Sequence, residues 1–487
     1  MNKSYSFCIT CIALLMAWIV LSGGCKKGNA NNENGNIPPP DDGSVTNSDV
    51  AFYLTNPDRS ALFQKQNVSL VFGNSNNAYP TIEVDTTETY QTMDGFGYTL
   101  TGGSATLLYG LGELQLDALL NELFLWDSTH IGVSYLRVSI GASDLSATTF
   151  TYDEVPAGET DVDLSKFSIS MEKLHLIPVL KKILALNPDI KILGSPWTAP
   201  TWMKTNGSFI GGSLNPEYYG VYANYFVKYI QAMQAEGIPI DAITIQNEPL
   251  HGGNNPSMVM QATEQAGFIK NHLGPAFANA NIKTKIILYD HNCDRPDYPL
   301  TILDDAAARP YVDGSAFHLY GGSITALSQV HNAYPDKHVY FTEQWTGGPG
   351  NFGADLAWHI ENLMIGAIRN WSRNVLQWNL AADPNYQPHT PGGCDRCLGA
   401  LTIGSTVTRD APYYVIAHLS KFVRPGSVRI GSNHSGSLLN VAFKNPEGKK
   451  VLLVINKKTT PETFNIQFNG KKVTTSLNGG AVGTYVW

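Results

Sequence analysis

Eight short apolar runs, rich in β-branched and aromatic residues, alternate with longer amphipathic stretches between about residues 91 and 420. Runs of this composition are typical of buried strands. Strand alternating with helix predicts a parallel sheet, and eight such units predict a closed (β/α)8 barrel of the α/β class. The predicted strands are residues 92–99, 133–141, 191–197, 242–248, 285–292, 314–321, 338–345 and 375–382, and clear helical stretches between them are 218–236, 262–273 and 354–369.

The two flanks of this region have a different pattern. Residues 51–85 and 421–487 alternate apolar and polar residues and contain turn signals, such as Asn445-Pro446-Glu447-Gly448. This pattern predicts antiparallel strands, and we expect the N-terminal segment to pair with the C-terminal one in a β-sandwich side domain. The predicted division is residues 51–90 for the N-terminal strands of the sandwich, 91–420 for the barrel and 421–487 for the C-terminal sandwich.

The N-terminus has the features of an export signal. Lys3 precedes an apolar run over residues 9–21, which is too short to span a membrane comfortably. Small residues then lead into Cys25, and this resembles a bacterial lipoprotein signal in which Cys25 is lipidated. The prediction is a signal peptide over 1–24, a flexible tether over 25–50 and a bacterial cell-envelope location in the periplasm or at the outer-membrane surface. An ordinary secretory signal is the alternative.

The charge balance bears on partners. The chain has 33 Lys+Arg against 41 Asp+Glu, a net charge of −8, and no basic stripe. We therefore expect no nucleic-acid partner, membrane contact only through the lipid anchor, a neutral substrate and a monomer. No cofactor is expected.

Two glutamates each follow a predicted buried strand. Glu248 ends the run 242–248, and Glu343 lies in the run 338–345. A carboxyl at such a place is costly to desolvate unless it has a function or a partner. The pair indicates a hydrolase that uses one carboxyl as an acid and the other as a nucleophile. A helix cap is the alternative for Glu248, and a structural ion pair is the alternative for Glu343.

Other polar and aromatic residues mark the carboxyl ends of the predicted strands, where barrel enzymes place their chemistry. They are Asp144, Trp197, Asn247, Asn292, His318, Tyr320, Trp378 and Asn379. A core role is the alternative for His318, Tyr320 and the tryptophans, and a turn role is the alternative for Asp144.

Several stretches resemble glycoside hydrolase family 30, which includes the glucosylceramidases. They are collinear between about residues 91 and 430, and the run at 194–207 is the most specific. The stretches are Asp94-Gly95-Phe96-Gly97, Leu136-Arg137-Val138-Ser139 with Asp144, residues 194–207, Gln246-Asn247-Glu248-Pro249, His318-Leu319-Tyr320, Phe341-Thr342-Glu343-Gln344, Gln377-Trp378-Asn379-Leu380, Tyr413-Tyr414 and residues 418–426.

The resemblance implies a retaining mechanism on a barrel with an attached β-sandwich. By this resemblance Glu248 matches the acid/base and Glu343 the nucleophile. The stretch Asp94-Gly95-Phe96-Gly97, Arg137 and the residues at the strand ends, Asn292 excepted, match positions that line the sugar site. Leu319 departs from the glucosylceramidases, which tend to have an aromatic residue there. The loop at 392–399 looks more like the β-1,6-glucanase branch.

The chemistry of retention suits these assignments. It needs two carboxyls about 5–5.5 Å apart, and one of them must be protonated. Arg137 would hold Glu343 ionised through charge-assisted bonds, and Asn247 would donate to the sugar 2-OH. The alternative for Arg137 is a pairing with a structural carboxylate. Flat rings would stack on sugar faces, although core packing is the alternative for them. The candidates for stacking are Trp197, Trp202, Tyr320, Trp345 and Trp378.

We therefore predict a retaining glycosidase, most simply a β-1,6-glucanase. A glucosylceramidase-like β-glucosidase and a β-xylanase of the same family are the enzyme alternatives. A surface glycan-binding lipoprotein with an inactive barrel is the alternative from another class, and the presence of both glutamates argues against it.

Two further motifs need interpretation. Cys394 and Cys397 lie in a glycine-rich loop, which favours a local disulfide over a zinc or thioredoxin-like site, and no metal site is predicted. Residues 348–353 match G-x-G-x-x-G, but no acidic residue follows about 20 positions later. We interpret this segment as a glycine-rich active-site loop and not as a dinucleotide site.

Overall fold

The computed structural model describes residues 47–487. The predicted signal peptide, Cys25 and nearly all of the predicted tether lie outside the described residues. Within the described range, no helix is both long and apolar enough to cross a bilayer.

Twenty-two strands occur in the described chain. In chain order they are β1 (Ala51–Thr55), β2 (Gln64–Lys65), β3 (Thr81–Thr92), β4 (Gly95–Thr99), β5 (Tyr135–Ile140), β6 (Lys191–Pro196), β7 (Ala242–Thr244), β8 (Lys285–Cys293), β9 (Val312–Gly322), β10 (His338–Glu343), β11 (Thr346–Gly347), β12 (Ser372–Asn379), β13 (Ala381–Ala382), β14 (Cys397–Leu398), β15 (Leu401–Ile403), β16 (Val407–Arg409), β17 (Val428–Ser432), β18 (Leu438–Lys444), β19 (Lys450–Asn456), β20 (Glu462–Phe468), β21 (Lys471–Leu477) and β22 (Val482–Val486).

The helices of the described residues lie mainly between the barrel strands. They are α1 (Gly102–Tyr109), α2 (Glu113–Phe124), α3 (Leu176–Leu186), α4 (Tyr219–Ala235), α5 (Ala262–Phe268), α6 (Gly274–Asn279), α7 (Asp297–Asp304), α8 (Ala326–Ala333), α9 (Phe352–His359) and α10 (Ala411–Ser420). A π-helical segment, Ile269–Leu273, joins α5 to α6, and another, Ile360–Ala367, extends α9. Short 3-10 turns are Ser170–Lys173, Thr201–Met203, Pro216–Tyr218 and Arg309–Tyr311.

Eight parallel strands close the predicted barrel. Going round it, the order is β4, β5, β6, β7, β8, β9, β10 and β12. The apolar faces of the surrounding helices pack against the strands in one large buried cluster. The fold class predicted from the sequence is confirmed.

An apolar layer fills the lower part of the barrel interior. Seven strands each contribute one buried residue to it, as expected where alternate residues point inward. They are Tyr135, Leu193, Ala242, Ile287, Ala316, Tyr340 and Leu376. This packed layer closes the barrel beneath its carboxyl-terminal mouth.

The side domain joins both ends of the described chain. Strand β1 pairs antiparallel with β22, so the N-terminal segment lies in the same sheet as the C-terminal strands. The long β3 pairs with β17 from Val84 to Thr92 and with β20 over its first three residues. An apolar core holds the sandwich together, and its centre includes Phe52 stacked on Tyr485 with ring centroids 4.5 Å apart.

The sandwich packs on the barrel through α10. His418 of this helix is fully buried, and its two ring nitrogens bond the hydroxyls of Thr484 and Thr55, each at 2.8 Å. Because these threonines belong to β22 and β1, one side chain ties both ends of the chain to the last barrel helix.

Several predicted boundaries were wrong. The fourth barrel strand ends at Thr244, so Asn247 and Glu248 follow the strand instead of ending it. The first begins at Gly95, since Thr92 belongs to β3. The last is β12, and residues 381–382 form a separate short strand, β13. The apolar pattern continues past these strand ends because the barrel mouth is itself buried.

Candidate active site

A polar layer lies one inward-facing position above the apolar layer. Moving two residues along each strand from Tyr135, Leu193, Ala242, Ala316, Tyr340 and Leu376 leads to Arg137, Ser195, Thr244, His318, Thr342 and Trp378. Successive inward-facing residues of one strand therefore belong first to the apolar layer and then to the polar layer. All of these residues are buried.

Strand β8 breaks this period, and the break brings a carboxylate into the layer. Tyr289 and Asp290 both have positive φ angles, 71° and 61°, and the pairing of β8 with β9 shifts register at this point. Without the shift Tyr289 would follow Ile287 inward. Instead Asp290 occupies the interior. Such strained backbone is uncommon for residues other than glycine and clusters at functional sites.

Asp290 is the centre of a buried hydrogen-bond network. Its Oδ2 accepts from Arg137 at 2.7 Å, from Thr244 at 2.7 Å and from Ser195 at 3.2 Å. Its Oδ1 accepts from Thr342 at 2.6 Å and from His318 at 3.1 Å. Burial opposes its charge, but Arg137 and His318 outweigh burial and hold the pKa of Asp290 well below its usual range.

Glu343 ends strand β10 and meets two donors. Arg137 Nη1 lies 2.5 Å from Glu343 Oε2, and the Tyr320 hydroxyl donates to Oε1 at 2.9 Å. Arg137 is fully buried and also donates to Asn247 Oδ1 at 2.7 Å. The guanidinium therefore fixes Glu343, Asn247 and Asp290 relative to one another, as its rigid fork allows.

Glu248 sits on the loop after β7, at a positive φ of 46°. Its Oε1 lies 3.2 Å from His318 Nδ1, and its backbone amide donates to the Asp290 carbonyl at 3.0 Å. His318 Nδ1 also lies 3.9 Å from Glu343. The imidazole is thus shared among three carboxylates.

One oxygen of Glu248, one oxygen of Glu343 and a ring nitrogen of His318 all lie within 4.8 Å of one another. This is the close spacing that retaining glycosidases use, since inverting enzymes leave room for a water between their carboxyls. The two glutamates converge on one cavity, as the sequence predicted.

The two glutamates titrate as a pair. Burial raises the pKa of Glu343, and His318 and Arg137 oppose that rise only in part. Burial also acts on Glu248, but the hydrogen bond and charge of His318 outweigh it and lower its pKa. The proton shared by the pair therefore favours Glu343 over Glu248. Hydrolysis requires the opposite distribution, with the proton on Glu248 and Glu343 ionised, when the glycosidic bond breaks.

His318 is charged in this environment. Burial alone lowers a histidine pKa, but the charge of Glu343 and the bonds to Asp290 and Glu248 raise the pKa of His318 to about 9. Glu248, His318 and Glu343 have the spacing of a metal-ligand set. In the imidazolium form both ring nitrogens of His318 donate, and their partners here are the surrounding carboxylates.

A cavity of about 520 Å³ opens above the two glutamates. The Trp197 and Trp378 rings form one side, with centroids 5.4 Å apart, and the Arg137 guanidinium lies 4.9 Å from the Trp197 ring. The cavity is lined by Asp144, Trp197, Asn247, Glu248, Asn254, Leu319, Tyr320, Glu343, Gln344, Trp345, Trp378, Cys394 and Cys397.

The structure joins Cys394 to Cys397 in a disulfide. The pair packs with Trp197 and Trp378 in one apolar cluster, so it forms part of the cavity wall. The backbone amide of Cys394 also approaches Asp144 Oδ2 at 3.4 Å.

Asp144 is a third carboxyl in the cavity. It is 6% exposed, and burial together with the charge of Glu343 raises its pKa to about 7. A group that titrates near neutrality in a cleft is typical of functional sites.

Not every predicted site residue lines the cavity. Asp94, just before β4, pairs with Arg373, and the fully buried Arg137 and His318 contact the two glutamates without lining the cavity. Asn379 lies beneath it, where its Oδ1 accepts from Ser104 at 2.8 Å and from Thr101 at 3.2 Å. Trp202 packs against Tyr218 and donates to the Asp153 carbonyl, which is the core alternative.

The glycine-rich segment 348–353 also stays outside the lining residues. The Gly348 amide donates to the Arg396 carbonyl at 2.7 Å, so the segment braces the disulfide loop. The prediction of an active-site loop was wrong in this respect. Asn292, at the end of β8, accepts from the Tyr320 amide and so positions the strand that carries His318 and Tyr320.

An eight-stranded barrel with two close glutamates at its mouth and an aromatic-walled cavity defines a glycoside hydrolase. The glycosyl hydrolase family 30 TIM-barrel domain matches residues 93–423, and the family's beta sandwich domain matches residues 426–485. The chain belongs to glycoside hydrolase family 30.

Individual relatives agree with this. An endo-1,6-beta-D-glucanase of Neurospora crassa is 37% identical over 393 residues, covering 75% of this chain and 79% of the relative. The lysosomal acid glucosylceramidase of Mus musculus is 30% identical over 435 residues, covering 82% and 81%. The solved structure of an endo-beta1,6-glucanase has a TM-score of 0.83 and 37% identity, covering 90% of this chain and 99% of that chain.

Proposed function

We propose that this chain is a retaining endo-β-1,6-glucanase that acts by double displacement. The observation that carries the mechanism is the convergence of Glu248, Glu343 and His318 atoms within 4.8 Å at one cavity. The linkage rests on the endo-1,6-beta-glucanase relatives, which are 37% identical in sequence and share the fold.

Glu343 is the nucleophile. It attacks the anomeric carbon, and Arg137 and Tyr320 donate to its oxygens and hold them in one orientation. Arg137 also orients Asn247 by donating to its Oδ1, so the side-chain NH2 points away from the guanidinium and is placed to donate to the sugar 2-OH. Such a bond strengthens as the oxocarbenium-like state develops.

Glu248 is the acid/base. It gives a proton to the leaving glycosidic oxygen and later takes one from the water that hydrolyses the glycosyl-enzyme. His318 bonds Glu248 through Nδ1 at 3.2 Å, and its Nε2 bonds Asp290. Because the imidazolium stabilises the carboxylate form of Glu248, it assists the step in which Glu248 has just lost its proton.

A substrate panel tests the proposal. Purified protein is incubated with β-1,6-glucan, β-1,3-glucan, xylan and an aryl β-glucoside, and reducing ends are measured. We expect the highest kcat/KM on β-1,6-glucan and a series of oligosaccharide products. Preferred cleavage of another polymer, or release of glucose alone from chain ends, contradicts the proposal.

The mechanism has its own test. Proton NMR of the first product from β-1,6-glucan should show the β anomer, and the α anomer would contradict retention. Glu343→Gln should reduce hydrolysis by at least about 10⁴-fold, since it removes the nucleophile without changing its shape. More than about a tenth of wild-type activity would remove this assignment.

A glucosylceramidase-like activity is the second candidate. The observation in its favour is the 30% identity to the mouse lysosomal acid glucosylceramidase across 82% of this chain. Leu319, where glucosylceramidases tend to have an aromatic residue, lines the cavity and argues against this candidate. Release of glucose from glucosylceramide in mixed micelles, at a rate above that on β-1,6-glucan, would favour this candidate.

The N-terminal segment supports a proposal about location. We propose that Cys25 is lipidated and that residues 26–50 tether the enzyme to the bacterial cell envelope. The support is the short apolar run followed by small residues and a cysteine. Metabolic labelling with a fatty-acid analogue should mark the protein, and Cys25→Ala should abolish the label and release the enzyme from membranes. Labelling that survives the substitution contradicts the proposal.

A further inference from the structure

A second, smaller cavity adjoins the catalytic cavity. Its volume is about 200 Å³, which offers room for one sugar ring. Gln344 and Trp345 line both cavities, so the two lie next to each other at these residues. The rest of the smaller wall includes Gly347 and, from helix α9, Asp355 and Trp358.

Trp345 is closely fitted at the junction. A Cβ atom at Gly347 would lie 3.2 Å from Cη2 of the Trp345 ring, so the missing side chain lets the indole lie against the backbone. Trp345 also packs with the cluster that contains the disulfide and Trp378. The ring is therefore a fixed partition with one cavity on each side.

The smaller cavity has the chemistry of a sugar site. Trp358 is 39% exposed, although a tryptophan gains from burying its ring. Asp355 Oδ2 accepts from the Asn351 amide at 2.7 Å, and a carboxylate retains further acceptor capacity for hydroxyl donors. An open indole face beside a carboxylate matches the apolar faces and hydroxyl rim of a pyranose.

We propose that this cavity is a second glycan subsite, in which Trp358 and Trp345 hold a glucosyl unit of the chain whose scissile linkage lies at Glu343. The proposal rests on the proposed action on a glucan polymer. A β-1,6 linkage has an additional rotatable bond compared with other glucan linkages, which lets the chain turn past the Trp345 partition. Internal cleavage needs such a site because several units must be bound together.

Chain-length dependence tests the subsite. kcat/KM is measured for β-1,6-linked glucose oligomers of two to six units with wild type, Trp358→Ala, Trp358→Phe and the control Trp126→Ala. Trp126 is 52% exposed and lies outside both cavities. For Trp358→Ala we expect the ratio of kcat/KM for long over short oligomers to fall about three- to tenfold, the usual range for one aromatic contact. Trp358→Phe should restore most of the ratio, and Trp126→Ala should not change it.

Binding gives an independent readout. In a Glu343→Gln background, calorimetry with the six-unit oligomer should show about three- to tenfold weaker binding when Trp358 is also alanine. An unchanged length dependence together with unchanged affinity overturns the subsite. If wild type prefers another glucan, the proposed linkage fails, and the same ratio measured with oligomers of that glucan still decides the subsite.

Discussion

Two fully buried histidines show how differently this molecule uses the same side chain. His318 lies at the barrel mouth among Asp290, Glu248 and Glu343, and its pKa rises to about 9. His418 lies between barrel and sandwich, bonded to the hydroxyls of Thr55 and Thr484, and burial lowers its pKa to about 3. Burial opposes charge at both sites, so the partners decide the outcome.

The two histidines therefore have different roles, His318 in the active site and His418 in the packing of the sandwich on the barrel. An imidazolium at the mouth carries a positive charge to the two catalytic glutamates. A neutral imidazole at the interface holds two strands against a helix, and its role is to satisfy buried hydroxyls. Four predictions follow from this division, beginning with the largest expected effect.

Removing the charge of Asp290 should weaken the positive charge that distinguishes His318 from His418. Asp290→Asn keeps the shape but deprives Arg137 and His318 of their shared counter-charge. We expect kcat on β-1,6-glucan to fall about 100-fold, because Glu343 and Glu248 lose their fixed positions. The pKa of His318, followed by NMR, should fall as well. Near wild-type kcat in a folded variant would show that Asp290 does not position the site.

Matched substitutions of the two histidines should give opposite patterns. We expect His318→Gln to lower kcat/KM more than about tenfold, with a changed pH profile, since the partner of Glu248 is lost. His418→Gln should lower the free energy of unfolding by about 1–3 kcal/mol because buried threonine hydroxyls lose partners. Activity per folded molecule should stay unchanged in His418→Gln, and a comparable loss of kcat/KM there would break the comparison.

The two histidines should also affect stability in different pH ranges. The folded pKa of His318 is raised, so its stabilising contribution is complete below its unfolded pKa of about 6.5 and is lost as the pH rises through about 9. The folded pKa of His418 is lowered, so its contribution is complete above about 6.5 and is lost as the pH falls toward about 3.

Thermal unfolding across pH measures both contributions. We expect His418→Gln to flatten the acid side of the Tm curve and His318→Gln to flatten the alkaline side. An acid side that is identical in wild type and His418→Gln would contradict the neutral state of His418.

The disulfide should give the smallest effect. Cys394 and Cys397 close a very short loop, so the bond restricts the unfolded chain little and its loss should change Tm only slightly. Its contact with Trp197 and Trp378 predicts a few-fold increase in KM for the double serine variant. A large fall in Tm with unchanged KM would assign the bond to stability instead of the cavity wall.

Much of the site was predictable because its residues follow strand-like runs. Glu248, Glu343, Trp197, His318 and Tyr320 all lie where the predicted strands end, and parallel strands bring those ends to one rim. Trp202 and Asn379 were also predicted to contact the sugar, but neither lines the cavity. Trp202 packs against Tyr218, and Asn379 bonds Ser104 and Thr101 beneath the cavity, so the positions of both depend on partners distant in sequence.

Asp290 was the main residue that the sequence analysis missed. It lies inside a predicted strand, where a period of two assigns Tyr289 to the interior and Asp290 to the opposite face. The register shift at positive φ reverses this assignment. A polar residue in an otherwise apolar strand was the available signal, and only pairing with β9 shows which way it points.

The sequence by itself determined the eight-unit barrel, the flanking sandwich strands and the two glutamates, because side-chain periodicity and family motifs are local along the chain. The tertiary structure alone decided which charges meet. The raised pKa of His318, the inward turn of Asp290 and the second cavity beside Trp345 all arise from contacts between residues distant in sequence. Electrostatic interactions and packing depend on distance in space, which no local pattern records.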